Sequence, residues 1–141
     1  MKISVNADYI LRAMCELGAD KTETPISISK IAENQHIPKK YLEKLFHKLK
    51  KAGLVKSILG KNGGYILADI PKNITMKRIF KIAENEVRIH NCVNIKKDKI
   101  CDLFGDCTFK KFWTDFDNHI NFFLDSHTLA DFIFADNSKN N

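Results

Sequence analysis

The chain of 141 residues has no apolar run approaching the ~18 residues of a membrane span. Its opening, MKISVNADYILRAM, is not apolar enough for a secretory leader. A cytoplasmic protein is the expectation. In a reducing compartment the cluster of Cys92, Cys101 and Cys107 reads as metal-binding or redox-active rather than as a disulfide framework. Also missing are a GK[ST] ending to the glycine-rich stretch Gly60–Gly64, a dinucleotide fingerprint and a nucleophile–base pair, so nothing supports nucleotide hydrolysis or other catalysis. Acidic residues nearly vanish between His36 and Gly64, where Glu43 alone stands against eight lysines, in a chain of net charge +6 and pI about 9.1. Basic charge concentrated in this way favours a polyanionic partner. The stretch from Phe112 to Asn141 reverses the balance, with five aspartates and one lysine. An apolar content of 44% is that of a globular protein and indicates no disordered class.

Ile10, Leu11, Ala13, Met14 and Leu17 recur at helical spacing and predict a first helix over Ala7–Leu17, with Asp8 and Arg12 sharing a turn on its other face. Cys15, inside this pattern, reads as a small buried hydrophobe. After a polar break, Ser27 can cap a short helix carrying Ile28, Ile31 and Ala32, which ends at the turn Gln35-His36-Ile37. Pro38 then opens PKKYLEKLFHKLKKAG, with Leu42, Leu45, Phe46 and Leu49 on one stripe, the lysines largely off it, and Gly53 closing it. Two short helices joined by a tight turn, the second basic near its start, predict a helix-turn-helix. Leu54–Ile58 and Tyr65–Ala68 read as hairpin strands around Leu59-Gly60-Lys61-Asn62-Gly63-Gly64. Such a wing can approach phosphates closely at its glycine-rich tip. The expected fold is mainly α with a small β-hairpin wing, a winged helix-turn-helix over residues 1–85. Its candidate contacts to double-stranded DNA are Ser27, Lys39, Lys40, Tyr41, Glu43, Lys44, Lys48, Lys56, Lys61, Asn62 and Gly63.

A helix over Lys77–Ala83 should pack Ile79, Phe80 and Ile82 against the winged domain. Residues 86–108 form a loop segment with the spacing Cys92-x8-Cys101-x5-Cys107 in lysine-rich surroundings. Three thiolates with room for one more donor suit zinc or an iron–sulfur cluster, and a thiol switch without metal uses the same residues. A winged-helix regulator fits each of these chemistries; an iron–sulfur electron-transfer protein with a winged module is the competing class. From Phe109 the pattern becomes Phe109, Trp113, Phe116, Ile120, Phe123, widened by Phe112 and Leu124. This aromatic seam over residues 109–127 predicts a dimerisation helix, since a reader of palindromic DNA needs a two-fold partner. Residues 128–141 are expected to form a short helix, Thr128–Phe134, and a frayed polar tail from Asp136.

Taken in order, Tyr41-Leu42-Glu43, Gly60-Lys61-Asn62-Gly63-Gly64-Tyr65, the three cysteines, a long helix and Thr128-Leu129-Ala130-Asp131-Phe132 resemble the Rrf-two family of bacterial winged-helix iron–sulfur regulators over nearly the whole chain. The wing tip and the terminal motif are most similar to its nitric-oxide-sensing, NsrR-like type. The resemblance implies a homodimeric transcription repressor on a pseudo-palindromic operator, with Cys92, Cys101 and Cys107 as cluster ligands. It implies a [4Fe-4S] cluster, with [2Fe-2S] as the alternative because the gap from Cys92 to Cys101 is longer than in the best-known members. Some members place a histidine three residues after the last cysteine; here that position is Lys110. The fourth donor implied is therefore Asp8 of the partner subunit, a residue that the helix dipole would favour at a helix start in any case. His90 is a spare donor. An arginine commonly precedes the first wing glycine in the family; Leu59 stands there, leaving Lys61 to enter a narrow minor groove.

Overall fold

The structure, a computed structural model, describes residues 2–20, 22–93, 101–103 and 105–133. The expected tail and Phe134 lie outside the described residues. In chain order come α1 (Val5–Ala19), α2 (Ile28–Gln35), α3 (Lys39–Lys51), β1 (Val55–Ile58), β2 (Gly64–Leu67), a 3-10 turn (Pro71–Asn73), α4 (Met76–Glu84), α5 (Lys110–Ser126) and α6 (Leu129–Ile133).

The amphipathic stripes decide the packing. Ile10, Met14 and Leu17 of α1, Ile31 of α2, Leu42, Phe46 and Leu49 of α3 and Ile79 of α4 all face one buried core, which Leu54, Val55 and Ile74 complete. Each helix junction has a local cause. Ser27 Oγ accepts the Lys30 N–H at 3.2 Å to start α2, and His36 at φ 53° ends it in the left-handed region. Pro38, at the N-cap of α3, contributes a fixed φ of −56°. Gly53 follows the C-cap of α3 with φ +72°, a conformation that costs a side-chain-bearing residue more. Beyond the spacing that predicted it, α1 starts earlier, because Glu84 Oε1 accepts from both Ser4 Oγ (2.7 Å) and Ser4 N (3.0 Å) across the fold. Cys15 is half-buried at the edge of the core, rather than sealed within it as its helical pattern implies.

The strands pair antiparallel in the register Val55↔Leu67 to Ile58↔Gly64, so the hairpin wing is present as expected. A third piece joins it: Ile26 and Tyr65 exchange N–H···O bonds of 3.0 and 2.8 Å, which ties the start of α2 to the wing. Gly64 permits this approach, since a Cβ there would meet the Ile26 carbonyl at 2.5 Å. At the far end the chain returns to the winged domain. Met76 N–H donates to His127 O (2.9 Å) and Leu129 N–H to Ile74 O (2.8 Å), and Leu129 and Ile133 are buried in the core begun by α1. Thus α5 is fixed to the domain at its C-terminal end, and Lys77 Nζ reaches Asp125 Oδ2 at 2.7 Å on the way.

Candidate DNA interface and thiol site

On α3 the buried stripe turns Lys39, Lys40, Glu43, Lys44, His47 and Lys48 outward, all exposed. Among the described residues no ion pair engages Lys39, Lys40, Lys44 or Lys48, so their charge is uncompensated. Tyr41 is different. Its hydroxyl donates to Asn6 Oδ1 and its ring meets Tyr9 edge-on at 5.6 Å, which turns it toward α1. Ser27 is exposed beside the start of α2; its oxygen is used in the cap, but its hydroxyl proton remains available. Lys56, Lys61 and Asn62 are exposed on the wing, where Gly63 is half-buried and Gly60 takes φ +117° at the tip. Leu59 is 93% exposed there, apolar where a DNA-facing tip would be expected to be basic. The wing and α3 are braced by Lys50 Nζ, which donates to Ser57 Oγ at 2.6 Å.

Cys92, Cys101 and Cys107 line one cavity of about 280 Å³, together with His90, Asn91, Lys110 and Trp113. The three are not disulfide-bonded. Among the described residues no three His, Cys, Asp or Glu side chains converge closely enough to hold a metal ion. A single zinc requires its donors within about 2.3 Å of one point. A cluster presents separate irons to separate thiolates, so three cysteines lining one cavity are a donor set that suits it. The donor set and the cavity therefore fit an iron–sulfur group. Residues 94–100 between the first two cysteines lie outside the described residues.

What holds Cys92 in place comes from α5. The Ile89 N–H donates to Asp117 Oδ1 at 3.0 Å, and the His90 ring stacks on Trp113 with centroids 4.9 Å apart and planes 15° from parallel. His90 Nδ1 then stands 3.0 Å from Cys92 Sγ. Sequence reasoning misses Asp117, although its place a heptad before Leu124, on the inward face of α5, is a usable signal.

Asp8 does not line this cavity in its own chain. It is exposed in the first turn of α1, with Oδ2 3.2 Å from Arg12 Nε. The approach is not along that N–H, so the contact is an ion pair rather than a hydrogen bond. Arg12 Nη1 donates instead to Gln35 O at 2.9 Å, at the end of α2. A residue beside the candidate fourth donor thus also touches the helix-turn-helix turn.

Along the predicted seam, Phe109 and Phe123 are 65% and 58% exposed, while Trp113, Phe116 and Ile120 are half-buried. Phe122, outside the seam, is exposed as well. No helix among the described residues is long and apolar enough to cross a membrane.

A helix-turn-helix with a hairpin wing and an unpaired basic recognition helix defines a winged-helix transcription regulator. The family model described as "Rrf2: Iron-dependent Transcriptional regulator" matches residues 3–135, and the chain belongs to the Rrf2 family. It is similar to the HTH-type transcriptional regulator IscR of Aliivibrio salmonicida, 32% identical over 131 residues, 93% of this chain and 76% of that one. Among solved structures it superposes on CymR, the global cysteine regulator of B. subtilis, with a TM-score of 0.77 at 31% identity, covering 96% of this chain and 98% of that one. T. potens IscR gives a TM-score of 0.76 at 32% identity, covering 100% and 92%. These relatives are named as regulators, not enzymes, in line with the absence of catalytic motifs.

Proposed function

We propose that the protein is a homodimeric DNA-binding repressor whose operator affinity is set at the cysteine site, with nitric oxide as the signal. In this reading residues 1–85 read DNA, 86–108 sense, 109–127 pair the two copies, and the short helix that opens 128–141 anchors the pairing helix through Leu129 and Ile133. The observation that carries it is the cavity shared by Cys92, Cys101 and Cys107 beside α5. These thiolates would hold an iron–sulfur cluster, [4Fe-4S] in preference to [2Fe-2S], with Asp8 of the second copy as fourth donor. When bound, the cluster supplies redox-active iron open to nitric oxide and oxidants.

The remaining steps belong to the chain's own residues. Lys110 lines the same cavity and places a cation beside the anionic donor set that these cysteines would form. Asp8 is a harder donor than a thiolate and so the more readily exchanged one. When its carboxylate is engaged elsewhere, the Arg12 that it faces is freed, and Arg12 holds Gln35 O at the turn before α3. That turn aims the recognition helix. Lys39, Lys40, Tyr41, Glu43, Lys44 and Lys48 would serve the major groove, and Ser27, Lys56, Lys61, Asn62 and Gly63 the backbone or minor groove. A change in spacing between two such helices lowers affinity for paired half-sites of a pseudo-palindromic operator.

Anaerobic purification with iron and sulfide analysis, then nitric oxide titration and operator binding on one sample, tests this reading. Iron with acid-labile sulfide is expected, with operator affinity falling by about tenfold or more on nitric oxide. Asp8→Ala should alter both the visible spectrum and the nitric oxide response; a variant identical to the parent removes Asp8 from the donor set. A second reading, a metal-free thiol switch, draws on the 3.0 Å separation of His90 Nδ1 and Cys92 Sγ. It predicts protein without iron or sulfide whose DNA affinity changes on mild thiol oxidation.

A further inference from the structure

Asp117 is the one buried polar or charged residue among the described residues, 1% exposed in the middle of α5. A carboxylate held out of water is costly unless its hydrogen bonds are made. Here they are: Oδ1 accepts the Ile89 N–H at 3.0 Å and Oδ2 accepts Asn121 Nδ2 at 3.0 Å. Asp117 also lines a recess of about 340 Å³ with Lys77, Lys81, Glu86 and Arg88, where Lys77 is paired with Asp125 and Arg88 with Glu86. One turn earlier on α5, Trp113 stacks on His90. Two anchors from one helix therefore fix two consecutive residues, Ile89 and His90, with only Asn91 between them and Cys92. Packing alone does not require this arrangement. A leucine would fill the site without an unpaired charge at risk, but it could not fix a backbone N–H.

We propose that Asp117 is a positioning residue for the thiol site: through the Ile89 N–H, and with Trp113 on His90, it sets where Cys92 stands on α5. The aromatic helix and the first cysteine then move as one body. A change at the thiols reaches the seam directly, and a change at the seam reaches the thiols. The proposal rests on the reading that Cys92 belongs to the sensing site. Its test uses iron-free protein, so the two can fail separately.

In the full-length, reduced, iron-free chain, iodoacetamide labelling resolved by mass spectrometry gives a rate for each cysteine. Trp113, the only tryptophan, reports the stack by its fluorescence. Asp117→Leu is expected to raise the Cys92 rate about tenfold, the equivalent of one lost hydrogen bond to a charged group, while Cys15 in α1 keeps its rate. Trp113 emission should change in the same variant. Asp117→Asn keeps an acceptor for Ile89 and should stay near the parent. Leu124→Ala, which loosens the same helix but leaves the Ile89 N–H with its Asp117 acceptor, provides the control for general destabilisation. An Asp117→Leu rate no greater than that of Leu124→Ala overturns the proposal, as does equal acceleration by Asn and Leu. If Asp117→Leu does not fold, hydrogen exchange of the unsubstituted chain decides independently: a slow Ile89 amide supports the clamp, and one exchanging like an unprotected amide overturns it.

Discussion

Phe46 of α3 and Phe123 of α5 are both phenylalanines on amphipathic helices, yet the first is sealed from water and the second is largely exposed. The contrast extends along both helices. The 13-residue α3 buries Leu42, Leu45, Phe46 and Leu49, whereas the 17-residue α5 buries only Leu124 and the carboxylate Asp117. An apolar stripe is a demand for cover. In the winged domain the same chain supplies that cover, through α1, α2, α4 and the returning α6. On α5 Phe109, Phe112 and Phe123 remain open, an exposed apolar surface of the kind that marks an interaction site. The two helices thus differ in how much cover the rest of the chain gives them rather than in how they are patterned.

The sharpest way to break this comparison is to truncate both rings. Phe46→Ala should cost about 3–5 kcal/mol in chemical denaturation, because the core around it can only partly collapse. Phe123→Ala should cost within about 0.5 kcal/mol when measured at a concentration where the chain is monomeric. Comparable losses would mean that α5 belongs to the core after all. Next in size is the seam itself. Replacing Phe109 and Phe123 together by Asp should weaken self-association about 100-fold or more by sedimentation, as for two lost anchor side chains. Unchanged association would place the pairing surface elsewhere. The smallest effect belongs to the exposed face of α3. Lys40→Ala with Lys44→Ala should make the plot of log affinity against log salt shallower by about 0.9 for each phosphate no longer neutralised, with the unfolding midpoint unchanged. A slope equal to the parent's would remove these lysines from the phosphate-binding set.

Periodicity revealed what depended on periodicity. The stripes of α1, α3 and α4, the cap at Ser27, the stop at Gly53 and the hairpin around the wing glycines each come from residues close in sequence, and each stands where its pattern put it. The features hidden from the sequence join distant residues. Glu84 holding Ser4, Ile26 bonded to Tyr65 and Thr75 facing Thr128 link positions that no local pattern connects. The thiol site was visible as three cysteines at suggestive spacing, and the fold gathers them around one cavity. Its supports were not visible, since Asp117 in an aromatic helix has the appearance of a solvated charge until its partner, a backbone N–H, is in view. Tyr41 shows another limit. Its place near the start of a recognition helix suggests a DNA contact, and no local pattern shows that its hydroxyl and ring also engage α1.

The return of the chain at Leu129 has a consequence for the order in which the molecule is made. The core opens with Ala7 and Ile10 and closes with Leu129 and Ile133, so its last pieces emerge only after the cysteines and the whole of α5 have been synthesised. Contacts spanning so many residues are slow to form. A growing chain would therefore carry its three clustered cysteines outside the ribosome before Leu129 and Ile133 arrive to close the core of the winged domain.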